Sequence, residues 1–169
     1  MRIFVINPGS TSTKLAIYED DKQIWEAGAH HPVHELEQFH HAVEQFKYRL
    51  DFVYNKLDMC GIPLKFDAII ARGGLLRPTP GGVYQINDKI KHDLIHAEMD
   101  HACNLGALIA DDMSKRCNCP AYIADPEVVD ELIPEARLTG IPEINRISIF
   151  HALNSKALSR KYAEKIGKR

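Results

Sequence analysis

The chain has 169 residues, 45 % apolar and 26 % charged, with 21 Lys and Arg against 23 Asp and Glu. This is a globular composition at the size of one domain or one large lobe, and its net charge of -2 argues against a domain built to coat nucleic acid. No apolar run approaches spanning length and the apolar stretch after Met1 is too short for a signal peptide, so no membrane partner is expected. Four cysteines make no disulfide framework and predict reduced thiols in the cytoplasm.

In chain order, residues 3–6 are an apolar run suited to a buried strand. Turn and hydroxyl residues 7–13 follow, then a second strand over 15–18, a turn at Glu19-Asp20-Asp21 and a third strand near 23–29. Apolar residues at 36, 39, 43, 46, 50, 53, 54 and 57 keep a helical period and predict one helix over 35–59, stopped by Gly61 and Pro63. Residues 66–71 read as a buried strand. The loop 72–82 after it holds four of the ten glycines, and long loops in compact domains are usually functional. Helices are expected over 87–98 and 104–116, broken around His101, then a strand over 121–124 ending at Asp125-Pro126, then a helix over 147–166. Strands alternating with helices imply an α/β domain with a mixed sheet.

Three polar segments follow three strands: Asn7 onward, Arg72-Gly73-Gly74 and Asp125. Ligands of open α/β sheets bind beyond the carboxyl ends of strands, which makes one shared cleft the expectation. The segment from Asn7 to Lys14 suits an anion: Gly9 permits a tight turn, and Ser10, Thr11, Ser12, Thr13 and Lys14 supply donors. It is not a Walker loop, because the second Gly before Lys is missing and a strand follows. On composition alone a hydroxyl-rich hairpin is more often just a turn. His30, His31, His34, His40 and His41 crowd a short stretch, yet Pro32 interrupts them and no ligand spacing is completed, so no metal is expected there. Cys117 and Cys119 read as ordinary thiols, and the basic tail from Lys156 as a solvated helix face.

The string Val5-Ile6-Asn7-Pro8-Gly9-Ser10-Thr11-Ser12-Thr13-Lys14 resembles the first signature of the acetate and butyrate kinase family. Ala71-Arg72-Gly73-Gly74-Leu75-Leu76-Arg77-Pro78 with Pro80-Gly81-Gly82 resembles the butyrate kinase form of the substrate loop. His101-Ala102-Cys103-Asn104-Leu105-Gly106-Ala107, Asp125-Pro126-Glu127-Val128-Val129-Asp130 and Ser148-Ile149-Phe150-His151-Ala152-Leu153-Asn154 continue the resemblance in order. It implies an actin-like, sugar-kinase-like ATPase fold with ribonuclease H-like lobes around an ATP cleft. It also implies reversible transfer from ATP to butyrate, or a branched short-chain acid, giving butyryl phosphate and ADP.

The family's chain is about twice this length, so residues 1–169 are expected to form its N-terminal lobe. The second phosphate loop and the adenosine segment are expected to lie beyond them. The resemblance gives Arg72 to the carboxylate or the transferring phosphoryl and His151 to an equatorial phosphoryl oxygen. It gives Asn7 and Asp125 to Mg2+, and Gly9, Ser10, Thr11, Ser12 and Lys14 to the ATP phosphates. Gly73 and Gly74 are expected to let the substrate approach, with His101 and Asn104 on the substrate side. Asp125 reads equally as an N-cap with Pro126 at the first helical position. The family implies a homo-oligomer. A non-catalytic lobe that binds a ligand or self-associates, and an acetate or propionate kinase lobe, are the competing readings.

Overall fold

The computed structural model describes residues 1–149 and 152–168, without the side chains of Ala152 and Leu153. β1 (Arg2–Pro8) and β2 (Ser12–Glu19) form an antiparallel hairpin, extended by β3 (Lys22–His30). The Gly9 N–H donates to the Ser12 carbonyl at 2.7 Å and closes the turn, so both strands run further into the hydroxyl segment than their apolar runs suggest. β4 (Ala68–Arg72) lies parallel to β1, and β6 (Ala121–Ala124) parallel to β4. β5 (Val83–Gln85) closes the far edge antiparallel to β6, giving the order β3-β2-β1-β4-β6-β5. β5 has three residues in a glycine-rich stretch, too few for a period to show.

Side chains alternate across a strand. Phe4 and Ile6 of β1 are fully buried on one face, while Val5 and Asn7 look to the other. The first face is covered by α2 (Phe46–Met59) and α4 (Leu105–Cys117). Ile69, Val53, Ile109 and Met113 meet there at 0 % exposure. Each such side chain contributes about 1.5–3 kcal/mol relative to exposure. Phe66 precedes β4 and stacks on Phe4 with centroids 5.1 Å apart.

The single helix expected over 35–59 is in fact broken. A short α1 (Val33–Leu36) ends near Glu37, a 3-10 turn spans Ala42–Gln45, and α2 begins at Phe46. Acceptors at the break explain it. Glu44 Oε2 takes the N–H groups of His40 (2.8 Å) and His41 (3.4 Å), and Asp100 Oδ1 takes that of Ala42 (2.9 Å). These amides would otherwise have needed helical carbonyls. α3 (Asp88–Ile95) starts where Asn87 Oδ1 accepts from Ile90 N–H at 2.9 Å, an ordinary N-cap. α4 ends at Asn118, whose φ of 50 is left-handed.

α5 (Ala152–Lys165) begins later than residue 147. Residues 147–149 are not helical, because Ser148 is drawn inward and its hydroxyl donates to the Val129 carbonyl at 2.6 Å. Among the described residues no helix is long and apolar enough to cross a membrane.

Candidate active site

β1, β4 and β6 are parallel neighbours, so their carboxyl ends share one edge of the sheet. Register pairs Ile6 with Ala71 and Arg72 with Ala124, which brings Asn7, Arg72 and Asp125 side by side. They line a cleft of about 380 Å³ with Val5, Ile70 and Glu127, and α5 closes one side through Asn154 and Ala157. Lys14 stands across from Asn7 in the β1–β2 ladder, and directly opposed residues share a face. Ser12, two residues earlier on the same strand, shares that face too. Three of the four residues expected to converge do so, and His151 lies outside the described residues.

Arg72 Nε sits 2.7 Å from Glu127 Oε1, with side chains 29 % and 11 % exposed. Glu127 Oε2 is buried and has no hydrogen-bond partner among the described residues. The sequence reading passed over Glu127. Its only signal is an acidic residue two places after Asp125, and nothing along the chain points from it to Arg72. Cys103 is buried beside this pair. Burial first, and then the Glu127 carboxylate, push its thiol up to about 12, so it stays protonated.

Asp125 occupies φ 43, a conformation rare for a residue with a side chain. It is held there from both ends. Its N–H donates to the Gly82 carbonyl at 3.0 Å, and its Oδ1 accepts from the Gly82 N–H at 2.9 Å. Residues 126–129 form a turn and no helix follows, which removes the N-cap reading. Instead Asp125 fastens the end of the glycine-rich loop to the end of β6.

Gly73 and Gly74 are buried within the protein. A Cβ on Gly73 would lie 2.4 Å from Pro126 Cβ, and one on Gly74 would lie 2.8 Å from Leu94 Cδ2. Those sides of the loop face Pro126 and Leu94, so packing accounts for both glycines. Gly74 also has φ 72, open to glycine at little cost. Asn104 supports the same loop from behind. Its Oδ1 accepts from Leu75 N–H at 2.8 Å and its Nδ2 donates to the Met99 carbonyl at 3.1 Å.

His101 ties the hydroxyl segment to the start of α4. Its Nδ1 accepts from Cys103 N–H at 3.2 Å, so the neutral ring carries its proton on Nε2, which donates to Ser10 Oγ at 3.0 Å. Thus the hydroxyl segment and the glycine-rich loop are both tied to residues 101–104, with neither His101 nor Asn104 lining the cleft.

The donor set at the cleft is oxygen from Asn7 and Asp125, which suits a hard cation that keeps several waters, Mg2+ before Zn2+. Among the described residues no group of three His, Cys, Asp or Glu side chains could hold a metal by itself. The hydroxyls of Ser10 and Ser12 with Lys14 suit a polyphosphate.

The mixed six-stranded sheet with its flanking helices has the actin-like, sugar-kinase-like fold. Acetate kinase of Porphyromonas gingivalis matches 99 % of this chain and 49 % of its own with a TM-score of 0.65 at 13 % identity. Propionate kinase of Francisella tularensis covers 99 % and 50 % with a TM-score of 0.58, also at 13 % identity. No protein-family model matches the chain.

In sequence the chain is related throughout to the N-terminal half of butyrate kinases. It is 70 % identical over 168 residues to a probable butyrate kinase of Phocaeicola vulgatus and 49 % identical to one of Bacteroides thetaiotaomicron. Butyrate kinase 1 of Clostridium acetobutylicum is 44 % identical over 170 residues. Each match covers 99 % of this chain and 48 % of the relative, so the chain spans about half the length of the curated relatives it matches.

Proposed function

We propose that residues 1–169 form the N-terminal lobe of a butyrate kinase, which moves a phosphoryl group reversibly between ATP and the carboxylate of butyrate. The observation that carries this is Asn7, Arg72 and Asp125 meeting in one cleft of a chain 70 % identical to a probable butyrate kinase. Butyrate is favoured over acetate by that identity against 13 % for the acetate kinase of the same fold.

The acceptor carboxylate is ionised at neutral pH and needs no general base. The lobe's task is to place two anions in line and neutralise them. Arg72 binds the carboxylate and then the bridging oxygen of the acyl phosphate. Glu127 orients the guanidinium through Nε. Ser10, Ser12 and Lys14 face the nucleotide phosphates, and Asn7 and Asp125 would hold Mg2+. When bound, the cation screens charge between the phosphates. His151 precedes α5, whose Asn154 lines the cleft, and is assigned to the transferring phosphoryl by the family resemblance.

The test joins residues 1–169 to the C-terminal half of the Phocaeicola vulgatus relative and traps butyryl phosphate with hydroxylamine. Arg72→Ala is expected to lower turnover by about 10²–10³-fold, the usual cost of removing one charge-stabilising donor. Turnover within threefold of the unmutated hybrid would overturn the assignment of Arg72.

A further inference from the structure

Arg49, on α2, is 0 % exposed, and guanidinium groups are seldom fully buried without a purpose. Among the described residues its five hydrogen bonds all go to neutral oxygens. Nε and Nη2 donate to Gln45 Oε1 at 3.0 and 2.9 Å. Nη1 donates to the Ser12 carbonyl at 2.9 Å and to Thr13 Oγ1 at 3.1 Å, and Nη2 donates to the Ser10 carbonyl at 2.8 Å. The Thr11 carbonyl between them accepts the His31 N–H at 2.7 Å. So three consecutive carbonyls of the hydroxyl segment are engaged by donors from α2, β3's end and the turn itself.

Carbonyl oxygens carry the negative end of the peptide dipole and would repel a phosphate. In a trans peptide the N–H points opposite the C=O, so turning the Ser10 carbonyl to Arg49 aims the Thr11 N–H away from α2. A planar guanidinium can grip two carbonyls at fixed spacing, which an ammonium cannot do. The positive charge also stays beneath the segment with no carboxylate in direct contact. The nearest negative group of the network is Glu35. It is reached only through Thr13, His31 and Tyr48, with His31 Nε2 2.8 Å from Thr13 Oγ1, His31 Nδ1 3.1 Å from the Tyr48 hydroxyl, and that hydroxyl donating to Glu35 Oε2 at 2.6 Å.

We propose that Arg49 is a positioning residue for polyphosphate binding: it fixes the Ser10 and Ser12 carbonyls inward so that the Thr11 amide, the Ser10 and Ser12 hydroxyls and Lys14 are presented to the anion. This rests on the phosphate-binding reading of residues 9–14 given above. It adds a residue on the far side of the sheet from the cleft that touches no ligand.

The test measures binding of inorganic triphosphate with Mg2+ to the 169-residue chain by calorimetry, with the Thr11 amide followed by NMR. Wild type is compared with Arg49→Met, Arg49→Lys and Lys14→Ala. Arg49→Met is expected to weaken triphosphate at least tenfold and to speed exchange of the Thr11 amide. Arg49→Lys should recover less than half of that loss on a logarithmic scale, since charge returns without the two-carbonyl grip. Should Arg49→Met not fold, Gln45→Leu removes two of the five hydrogen bonds and keeps the charge, and is expected to weaken triphosphate three- to fivefold. Weakening by Lys14→Ala with Arg49→Met (or Gln45→Leu) within twofold of wild type overturns the role of Arg49 alone. No triphosphate binding by wild type overturns the phosphate-binding reading, and this inference with it.

Discussion

Single residues in this lobe are held by contacts that leave little room for change. Gly73 is the clearest case, because its missing Cβ is the space in which Pro126 sits. Gly73→Ala is expected to destabilise the fold by about 1–3 kcal/mol through overpacking, read as a lower urea midpoint at an unchanged slope. A midpoint unchanged within error would mean that the loop and Pro126 separate freely. Cys103 gives a second check. It is 2 % exposed and its thiol is held at about 12, whereas Cys60 is exposed. Iodoacetamide at pH 8 should modify Cys60 quickly and reach Cys103 only on unfolding; early alkylation of Cys103 would contradict its buried placement. Asn7, Arg72 and Asp125 were legible in the sequence because each follows an apolar run at a strand's end. Glu127 and Arg49 were not. Arg49 looks like any polar position of an amphipathic helix, and its partners Ser10 and Ser12 lie 39 and 37 residues away.

At the scale of elements, the network behind the hairpin couples α2 and β3 to protons. His31 is 2 % exposed, and burial together with the Arg49 charge lowers it to about 4, against the weaker opposing pull of Glu35. His30 also disfavours its charge, and Tyr48, which bonds its Nδ1, is itself raised by burial and by Glu35. Between about pH 4 and about 6.5 the unfolded chain therefore binds a proton at His31 that the folded chain does not. Stability from this group is complete above about pH 6.5 and falls as pH drops toward 4, by up to about 3 kcal/mol. Urea midpoints across that window should decline in wild type and decline less in His31→Gln; parallel profiles would refute the coupling. Strands β1 to β4 and β6 were readable as apolar runs, whereas the three-residue β5 was not. The break between α1 and α2 was not, since apolar residues 36, 39, 43 and 46 keep helical spacing across it. One of the two acceptors at the interruption, Asp100, lies 58 residues beyond Ala42.

For the whole molecule, the proposed function puts catalysis between residues 1–169 and a second body, since the chain spans about half the length of the relatives it matches. In-line positioning of reactants can be worth roughly 7–11 kcal/mol of a barrier, more than five powers of ten in rate. Residues 1–169 alone are expected to form no measurable butyryl phosphate, and the hybrid with a relative's C-terminal half is expected to form it. Equal turnover by the two would show that this lobe holds a complete nucleotide site.

The parallel run β1–β4–β6 has one more consequence. Neighbouring strands sit about 4.8 Å apart, a spacing fixed by backbone hydrogen bonds and indifferent to side chains. Asn7 and Arg72 on their strands and Asp125, one residue past the end of β6, thus stand like marks on a ruler, with Arg72 between the other two. Rungs of that ruler cannot drift without breaking the sheet itself. The loop 73–82 lies outside that ladder and is tied to residues 125–130 only at points, through Thr79, Gly82 and the packing of Gly73 against Pro126. Under the proposed function, exchanges within this loop that keep those ties would alter acyl-chain preference while the spacing of Asn7, Arg72 and Asp125 is inherited unchanged.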